Sequence, residues 1–490
     1  MGPTVEPSRG SYDQLCYRGP GITDMGRTDE IYERLPTIGQ HAAVTAFGSY
    51  WAWARFGPGF RRHLEAFRSR ERWTAAEWET YRSAATRSLL TDAVRNVPHY
   101  RSTYTGTDRE AALAGQLDEL PLLEKAPLRR DPKAFIDPRL VPPHPKVFHT
   151  SGSTGTPVAT YWSADELRAS MALREVRSAG WAGTSFGRPR ATFSGRMVEP
   201  DPESNGPYYR LNAIERQIYL SPFHLSRATA AAYADAFRRH RIQWATGYAV
   251  SFSLLAGFIL DEGIEPLSLR AVVTTSEKLT DSMRDRISAA FGCRVYEEYS
   301  TVENALFASE CEHGSLHVSP DAGLVEILRP DGSPADPGET GEVVATCLLR
   351  KVQPLIRYRL GDLASWSAEP CLCGRNLPVI AEVSGRVEDV LVGPDGRELV
   401  RFHGVFVGIP GVVEAQVVQE TLDRFRVVVV PDSSFTADDE GEMIRRMRQR
   451  LGAVSVAVER AEGIPRTASG KFRAVVSEIT STDDPPAGGV

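Results

Sequence analysis

Apolar residues recur at helical spacing from Trp73 to Tyr100 (WTAAEWETYRSAATRSLLTDAVRNVPHY) and the pattern breaks at Pro98, which predicts an amphipathic packing helix. The stretch Pro121 to Pro145 is dense in proline and poor in apolar runs, so it reads as an irregular connector. It leads into a short strand at Lys146 to His149. Beyond it, β-branched runs such as Ala271 to Thr275 and Arg294 to Tyr296 alternate with helical stretches such as Thr280 to Phe291, the pattern of an α/β domain. From Leu324 to Trp366 strand-like segments (LVEILRP, GEVVATCLL, PLIRYRLGD) dominate, separated by Asp-Gly and Pro-Gly turns, and suggest a β-rich subdomain. After Gly385 the pattern gives strands at Asp389 to Val392, Val413 to Gln419 and Arg424 to Val430. A helix at about Ala437 to Leu451 and a strand at Ser455 to Val458 follow. This is a small α+β unit of domain size. Its helix carries Arg445, Arg446, Arg448 and Arg450, expected to mark a solvated face.

The expected organisation is a large N-terminal α/β domain at 1–385, helical over about 1–145 and β-rich over about 315–385, followed by a small α+β domain at 386–490. A chain of 490 residues has ample core for this, and 42% hydrophobic with 24% charged residues is ordinary for a globular protein. A net charge of −6 supplies no basic field for nucleic acid or an anionic membrane, so neither is an expected partner. The longest apolar stretch, Gly247 to Leu260, is shorter than the roughly 20 residues that span a bilayer. The N-terminal string MGPTVEPSRGSYDQ lacks a secretory pattern, and a cytoplasmic location is expected. Six cysteines are too sparse for a disulfide scaffold, so clustered ones are first read as metal ligands.

Four strings carry candidate chemistry. Thr150, Ser151, Gly152, Ser153, Thr154 and Gly155 follow the strand at 146–149. Glycine there lets the backbone approach a phosphate, and hydroxyl and N–H groups can wrap its oxygens. A solvated Ser/Thr/Gly loop is the plain alternative. Thr156 after Gly155 excludes a Walker A loop, which needs lysine there. Glu297-Glu298-Tyr299-Ser300-Thr301-Val302-Glu303 sets carboxylates beside an aromatic ring; a carboxylate can hold Mg²⁺ and the ring can stack on a base. Acidic residues at a helix start would look the same. Tyr358-Arg359-Leu360-Gly361-Asp362 is expected to end a strand in a turn with a carboxylate suited to ribose hydroxyls. Pro465 to Lys471 (PRTASGK) is a cation-bearing loop or an exposed basic turn.

In this order and separation the four strings resemble those of adenylate-forming enzymes, and the chain resembles the phenylacetate-CoA ligase and coenzyme F390 synthetase-like (CapK-like) branch from about Ser88 onward. RSLLTDAVRNVPHYR, TTSEKLT, SECEHGSLHVSPDAGLVEIL, CLCGRNLPVI and SGRVEDVLV add to the likeness. The resemblance implies an ATP-dependent, AMP-forming ligase that activates an acid as its adenylate. Thr150 through Gly155 would contact the ATP phosphates. Tyr299 would lie by the adenine and Glu303 would hold Mg²⁺, with Glu298, Ser300 and Thr301 beside them. Ser276, Glu277 and Lys278 would line the adenine, Asp362 would bind the ribose and Arg386 would follow near the nucleotide. Lys471 would reach between the carboxylate and the α-phosphate, and a hinge would fall near Glu388-Asp389. An aromatic or arylalkanoic acid is the first expectation, with Trp162, Phe193, Phe223, His224, Gly247 and Tyr248 as pocket candidates; aromatic residues are also common core. Coenzyme A is the default acceptor. Carrier-protein thiols, amines, a hydroxyl, a small oxyacid such as nitrite in place of the carboxylic acid, and a non-catalytic nucleotide-binding homologue stay open, and a homodimer is allowed. Thr156, Ser300 and Val302 depart from the usual pattern, leaving the phosphate contacts short of a lysine and a hydroxyl.

Cys371 and Cys373 form a tight pair of soft ligands, and Cys311 lies about 60 residues earlier with His313 and His317. Three cysteines and a histidine can close a structural tetrahedral Zn²⁺ site. His317 is preferred, since its distance from Cys311 lets the chain fold back; His313 is the alternative, and reduced cysteines in a small core are the plain reading. Some relatives with this Cys-x-Cys-Gly-Arg arrangement have such a metal.

Overall fold

Short apolar runs bounded by turns build the larger of two compact units into which the chain divides, one within residues 15–150 and 158–386 and a smaller one within 387–490. The computed structural model describes residues 31–32, 34–149, 158–194, 198–199, 201, 204–222, 224–277, 279, 281–383, 391–395, 398–399, 402–406, 409–431, 433–461, 463–464 and 475–479. The candidate residues Thr150 to Gly155, Phe223, Lys278, Arg386 and Lys471 and the expected hinge at Glu388-Asp389 lie outside these residues.

In the larger unit, helices come first. The amphipathic helix predicted at Trp73 to Tyr100 spans Ala75–Asn96, opened by a capping box in which Thr74 and Glu77 satisfy each other's backbone N–H. Val97, extended before Pro98, ends it, and Pro98–Thr103 continues as a separate short helix. The hairpin β1 (Lys146–His149) and β2 (Ala159–Trp162) comes next and forms a two-stranded sheet of its own.

Twelve strands among the described residues form one sheet, in the order β11-β12-β13-β14-β10-β9-β8-β7-β6-β3-β5-β4. They are β3 (Arg190–Phe193), β4 (Tyr209–Asn212), β5 (Gln217–Leu220), β6 (Trp244–Tyr248), β7 (Ala271–Thr275), β8 (Arg294–Ser300), β9 (Phe307–Glu310), β10 (Leu316–Val318), β11 (Gly323–Leu328), β12 (Thr340–Cys347), β13 (Tyr358–Trp366) and β14 (Val379–Val383). Strands β5, β3, β6, β7 and β8 run parallel, and nearly every position of β5, β3, β6 and β7 is buried, on both faces of the sheet. From β9 onward the pairing turns antiparallel, so the β-rich stretch extends the parallel sheet and does not make a sheet apart. The apolar run at 247–260 is the buried helix Ala249–Asp261, which packs with Asp281–Phe291 in the core around Phe252, Ile259 and Ile287. No helix among the described residues is long and apolar enough to cross a membrane.

The turn expected at Asp362 needs correction. Asp362 does not end a strand: β13 runs through it to Trp366. Glu342 pairs with Leu363 while Val344 pairs with Arg359, so Leu360, Gly361 and Asp362 stand opposite Val343 alone. This bulge is possible because Gly361 takes φ 75°, which a β-branched residue would resist, and it re-aims the carboxylate that follows.

The smaller unit has β15 (Leu391–Val392), β16 (Glu398–Leu399), β17 (Val412–Gln419), β18 (Arg424–Pro431), β19 (Ser455–Arg460) and β20 (Val475–Ser477). The last four make a sheet in the order β19-β18-β17-β20. The helix Ala437–Leu451 lays Met443, Met447 and Leu451, spaced at i, i+4 and i+8, into the core with Phe425 and Val427. Its arginines are not all on a solvated face: Arg446 is buried, bonded to Glu442 at 2.7 Å and donating to the Val405 carbonyl at 3.3 Å. The long aliphatic stem of arginine allows this, since it can be covered while the head finds a partner.

Candidate nucleotide site and cysteine–histidine cluster

In parallel sheets ligands collect beyond the carboxyl ends of the strands, and Ser276, Glu277, Tyr299 and Ser300 lie at the ends of β7 and β8. Ser276 follows β7 with φ 71° and an exposed side chain, and Glu277 beside it is half-buried. Strand β8 ends in Tyr299 and Ser300, and alternation sends their side chains to opposite faces.

On one face the Tyr299 hydroxyl donates to Asp362 Oδ2 at 2.9 Å. The predicted adenine-side ring and the predicted ribose carboxylate thus touch, although 63 positions separate them. On the other face Glu298 is buried, ion-paired to Arg174 Nε at 3.1 Å, and accepts from the Ser300 hydroxyl at 3.1 Å. Arg174 Nη2 also donates to Ser300 Oγ at 3.2 Å. Glu298 and Ser300 therefore anchor the sheet to the helical segment Arg174–Ala179, a single π-type turn. Such turns are common beside functional sites.

Past β8 the chain turns tightly, the Asn304 N–H donating to the Thr301 carbonyl at 2.9 Å and Asn304 taking φ 49°. This turn points Glu303 inward. Its Oε1 accepts from the Tyr358 hydroxyl at 3.0 Å and its backbone carbonyl from Arg350 Nη1 at 2.5 Å. Thr301 Oγ1 is buried without a hydrogen-bond partner among the described residues. Val302, where the usual hydroxyl is missing, packs against the cluster of Trp51, Phe148 and Trp162.

The pocket candidates divide. Phe193 is fully buried, edge-on to Phe252 at 5.0 Å, and is core. Trp162 is buried beside Phe148, its Nε1 donating to Thr160 Oγ1 at 3.1 Å. Gly247, φ 135°, lies so close to β3 that a Cβ would stand 1.9 Å from the Phe193 carbonyl oxygen, so no larger residue fits. Tyr248 is buried at the end of β6. His224 is held at both nitrogens, by Ser221 Oγ at 2.7 Å and the Asp201 carbonyl at 2.9 Å, and stacks on Tyr208.

A second cluster lies at β9, β10 and the loop before β14. Cys311, His317, Cys371 and Cys373 bring their ligand atoms within 4.8 Å of one another. Cys311 and Cys371 are 3.6 Å apart at sulfur, and Cys373 Sγ is 3.3 Å from His317 Nε2. A tetrahedral zinc ion with bonds of about 2.3 Å to sulfur and about 2.0 Å to nitrogen has ligand–ligand edges of roughly 3.5–3.8 Å, so the set fits. The other His317 nitrogen faces the Leu377 carbonyl at 3.4 Å, the kind of outer contact that orients a histidine ligand. His313 is exposed and outside the set; only its backbone N–H reaches Cys311 Sγ, at 3.3 Å. Trp78, Trp181 and Leu377 pack around the group.

Arg174, Arg350 and Gln353 escaped the sequence reading, and Tyr358 entered it only as the start of the string that ends in Asp362. Arg350 had a signal: with Lys351 it interrupts the apolar run ATCLLRKVQPLI, and a charge inside such a run is a candidate for burial with a purpose.

Residues 391–478 match the family model of the CapK C-terminal domain. The chain is similar to protein CapK of Staphylococcus aureus, 26% identical over 377 residues, covering 74% of this chain and 80% of that protein. It is 30% identical over 216 residues to phenylacetate-coenzyme A ligase of Thermus thermophilus, covering 42% of this chain and 45% of that enzyme, less than half of its length. Among solved structures it resembles 2-hydroxyisobutyryl-CoA ligase in complex with 2-HIB-AMP and CoA in the thioesterification state. There the TM-score is 0.54 at 21% identity, over 83% of this chain and 91% of that one. This likeness shows the adenylate-forming ligase fold.

Proposed function

We infer that this chain, a relative of CapK and the phenylacetate-CoA ligases, is an ATP-dependent, AMP-forming ligase that activates a carboxylic acid as its acyl-adenylate. The observation that carries this reading is the Tyr299–Asp362 hydrogen bond at the carboxyl end of β8, with Glu303 buried one turn further on. A ring bonded to one carboxylate for the ribose, with a second carboxylate for the metal four residues after the ring, suits a nucleoside triphosphate. On this reading 386–490 forms the domain that carries Lys471, and 1–385 the nucleotide-binding domain.

The chemistry sets the demands. A carboxylate oxygen attacks the α-phosphorus, the bond to the β-phosphate oxygen breaks and pyrophosphate leaves, all while like charges approach. Mg²⁺, when held by Glu303, supplies neutralisation on the phosphate oxygens. Tyr299 and Asp362 fix the nucleoside, so the α-phosphorus is presented in one place. Lys471, with three N–H donors and a full charge, would stabilise the attacking and bridging oxygens. Thr150 to Gly155 would wrap the phosphates. Ser276, Glu277, Lys278 and Arg386 would complete the nucleotide site, with Glu298, Ser300 and Thr301 bordering it. The acid is proposed to be aromatic or arylalkanoic and the acceptor to be coenzyme A, both by likeness to the phenylacetate-CoA ligases.

Tyr299→Phe keeps the ring and loses the bond to Asp362. It is expected to raise the KM for ATP by roughly three- to ten-fold, the worth of one hydrogen bond, with kcat within about two-fold. An unchanged KM for ATP removes Tyr299 from the nucleotide site.

The Cys311, His317, Cys371 and Cys373 set is proposed to hold a structural zinc, since four protein ligands leave no open position for substrate. Protein purified without added metal should carry close to one zinc per chain. Cys373→Ala should lose it and lower the Tm by roughly 5–10 °C. A zinc ratio near zero that Cys373→Ala leaves unchanged contradicts the site.

A further inference from the structure

A two-stranded hairpin is marginally stable by itself, and among the described residues β1–β2 belongs to no larger sheet. Yet in sequence this hairpin brackets the Ser/Thr/Gly segment 150–155. Its anchors come from the buried connection between β12 and β13. Gln353, fully buried, accepts from the Tyr161 N–H at 3.1 Å and donates to the Ala159 carbonyl at 3.3 Å and the Pro132 carbonyl at 2.9 Å. Arg350, also fully buried, donates to the Tyr161 carbonyl at 3.0 Å, to Gln353 Oε1 at 2.9 Å and to the Glu303 carbonyl at 2.5 Å. Its guanidinium lies over the Trp162 ring, 4.6 Å from the centroid.

Arg350 forms no ion pair among the described residues, and its Nε has no hydrogen-bond partner there. Glu166 and Glu303 act on its charge only from beyond ion-pair distance, and burial pulls its pKa down. A buried cation so incompletely matched costs stability that an apolar residue would not. What it gains is geometry: a rigid planar fork that joins β2 to the turn bearing Glu303, which an apolar side chain cannot do and a single-headed cation can do only in part.

We propose that Arg350 and Gln353 are positioning residues that clamp the β1–β2 hairpin to the Glu303 turn and so fix the spacing between the two phosphate-facing elements. The kinetic consequence rests on the adenylation reading, whereas the clamp itself does not. Hydrogen exchange on the full-length protein tests the clamp. Arg350→Met should speed exchange of the β1 and β2 amides by roughly 30-fold while β6 and β7 keep wild-type rates. Gln353→Leu should give the same localised pattern and stands in if Arg350→Met does not fold. Wild-type exchange in β1 and β2, or faster exchange throughout the unit, overturns the clamp. In pyrophosphate release, Arg350→Met should lower kcat about 100-fold with the KM for the acid little changed. Arg350→Lys, which keeps the charge and one carbonyl contact, should recover to within about ten-fold of wild type. Equal kcat for Met and Lys overturns the positioning role. Wild-type protein that releases no pyrophosphate with any acid refutes the adenylation reading, and exchange then decides the clamp alone.

Discussion

Glu303→Gln is expected to slow acid-dependent pyrophosphate release by on the order of 10²–10³-fold while leaving the fold intact. The amide has the shape of the carboxylate, so its oxygen can still accept from the Tyr358 hydroxyl, and the Arg350 bond to the backbone carbonyl is untouched. What is lost is the charge that holds the metal. The variant should therefore need more Mg²⁺ for half-maximal rate and show a Tm close to wild type. A rate within about two-fold of wild type at low Mg²⁺ would exclude Glu303 as the metal's carboxylate.

Lys471→Ala is expected to remove adenylation almost completely, by about 10³-fold or more, because no other charge is assigned to the attacking oxygen. ATP affinity should stay within a few-fold, since nucleotide binding is assigned to other residues, all but Arg386 of them in the other domain. Calorimetric titration with ATP beside a pyrophosphate assay separates the two effects. Unchanged turnover refutes the lysine's role.

Elements with strong local patterns were legible. The helices Asp281–Phe291 and Ala437–Leu451 and the strands β1 and β7 fall at or within one residue of the positions their periodicity predicts. The Cys311, His317, Cys371 and Cys373 set was legible too, since soft ligands in tight pairs have few other uses in a long, cysteine-poor chain. What failed was anything decided by partners distant in sequence. The bulge at Gly361 turns an expected loop into continuous strand, because ladder bonds on both sides of β13 outweigh the local turn signal. The antiparallel strands join the parallel sheet through β8 and β9, a pairing no periodicity encodes. Arg446 and Arg350 are buried because long-range acceptors meet them, and Phe193 is core because Phe252 and Tyr233 pack on it.

The central claim is adenylation, and the most direct test is pyrophosphate release from ATP and Mg²⁺ across a panel of aromatic, aliphatic and amino acids plus nitrite. Acceptors are withheld at first and then added. The expected result is release that depends on one class of acid, aromatic or arylalkanoic, limited to a burst until coenzyme A or another acceptor converts it to turnover. Tight ATP binding with no release for any acid would contradict the account and identify the chain as a nucleotide-binding protein without this chemistry.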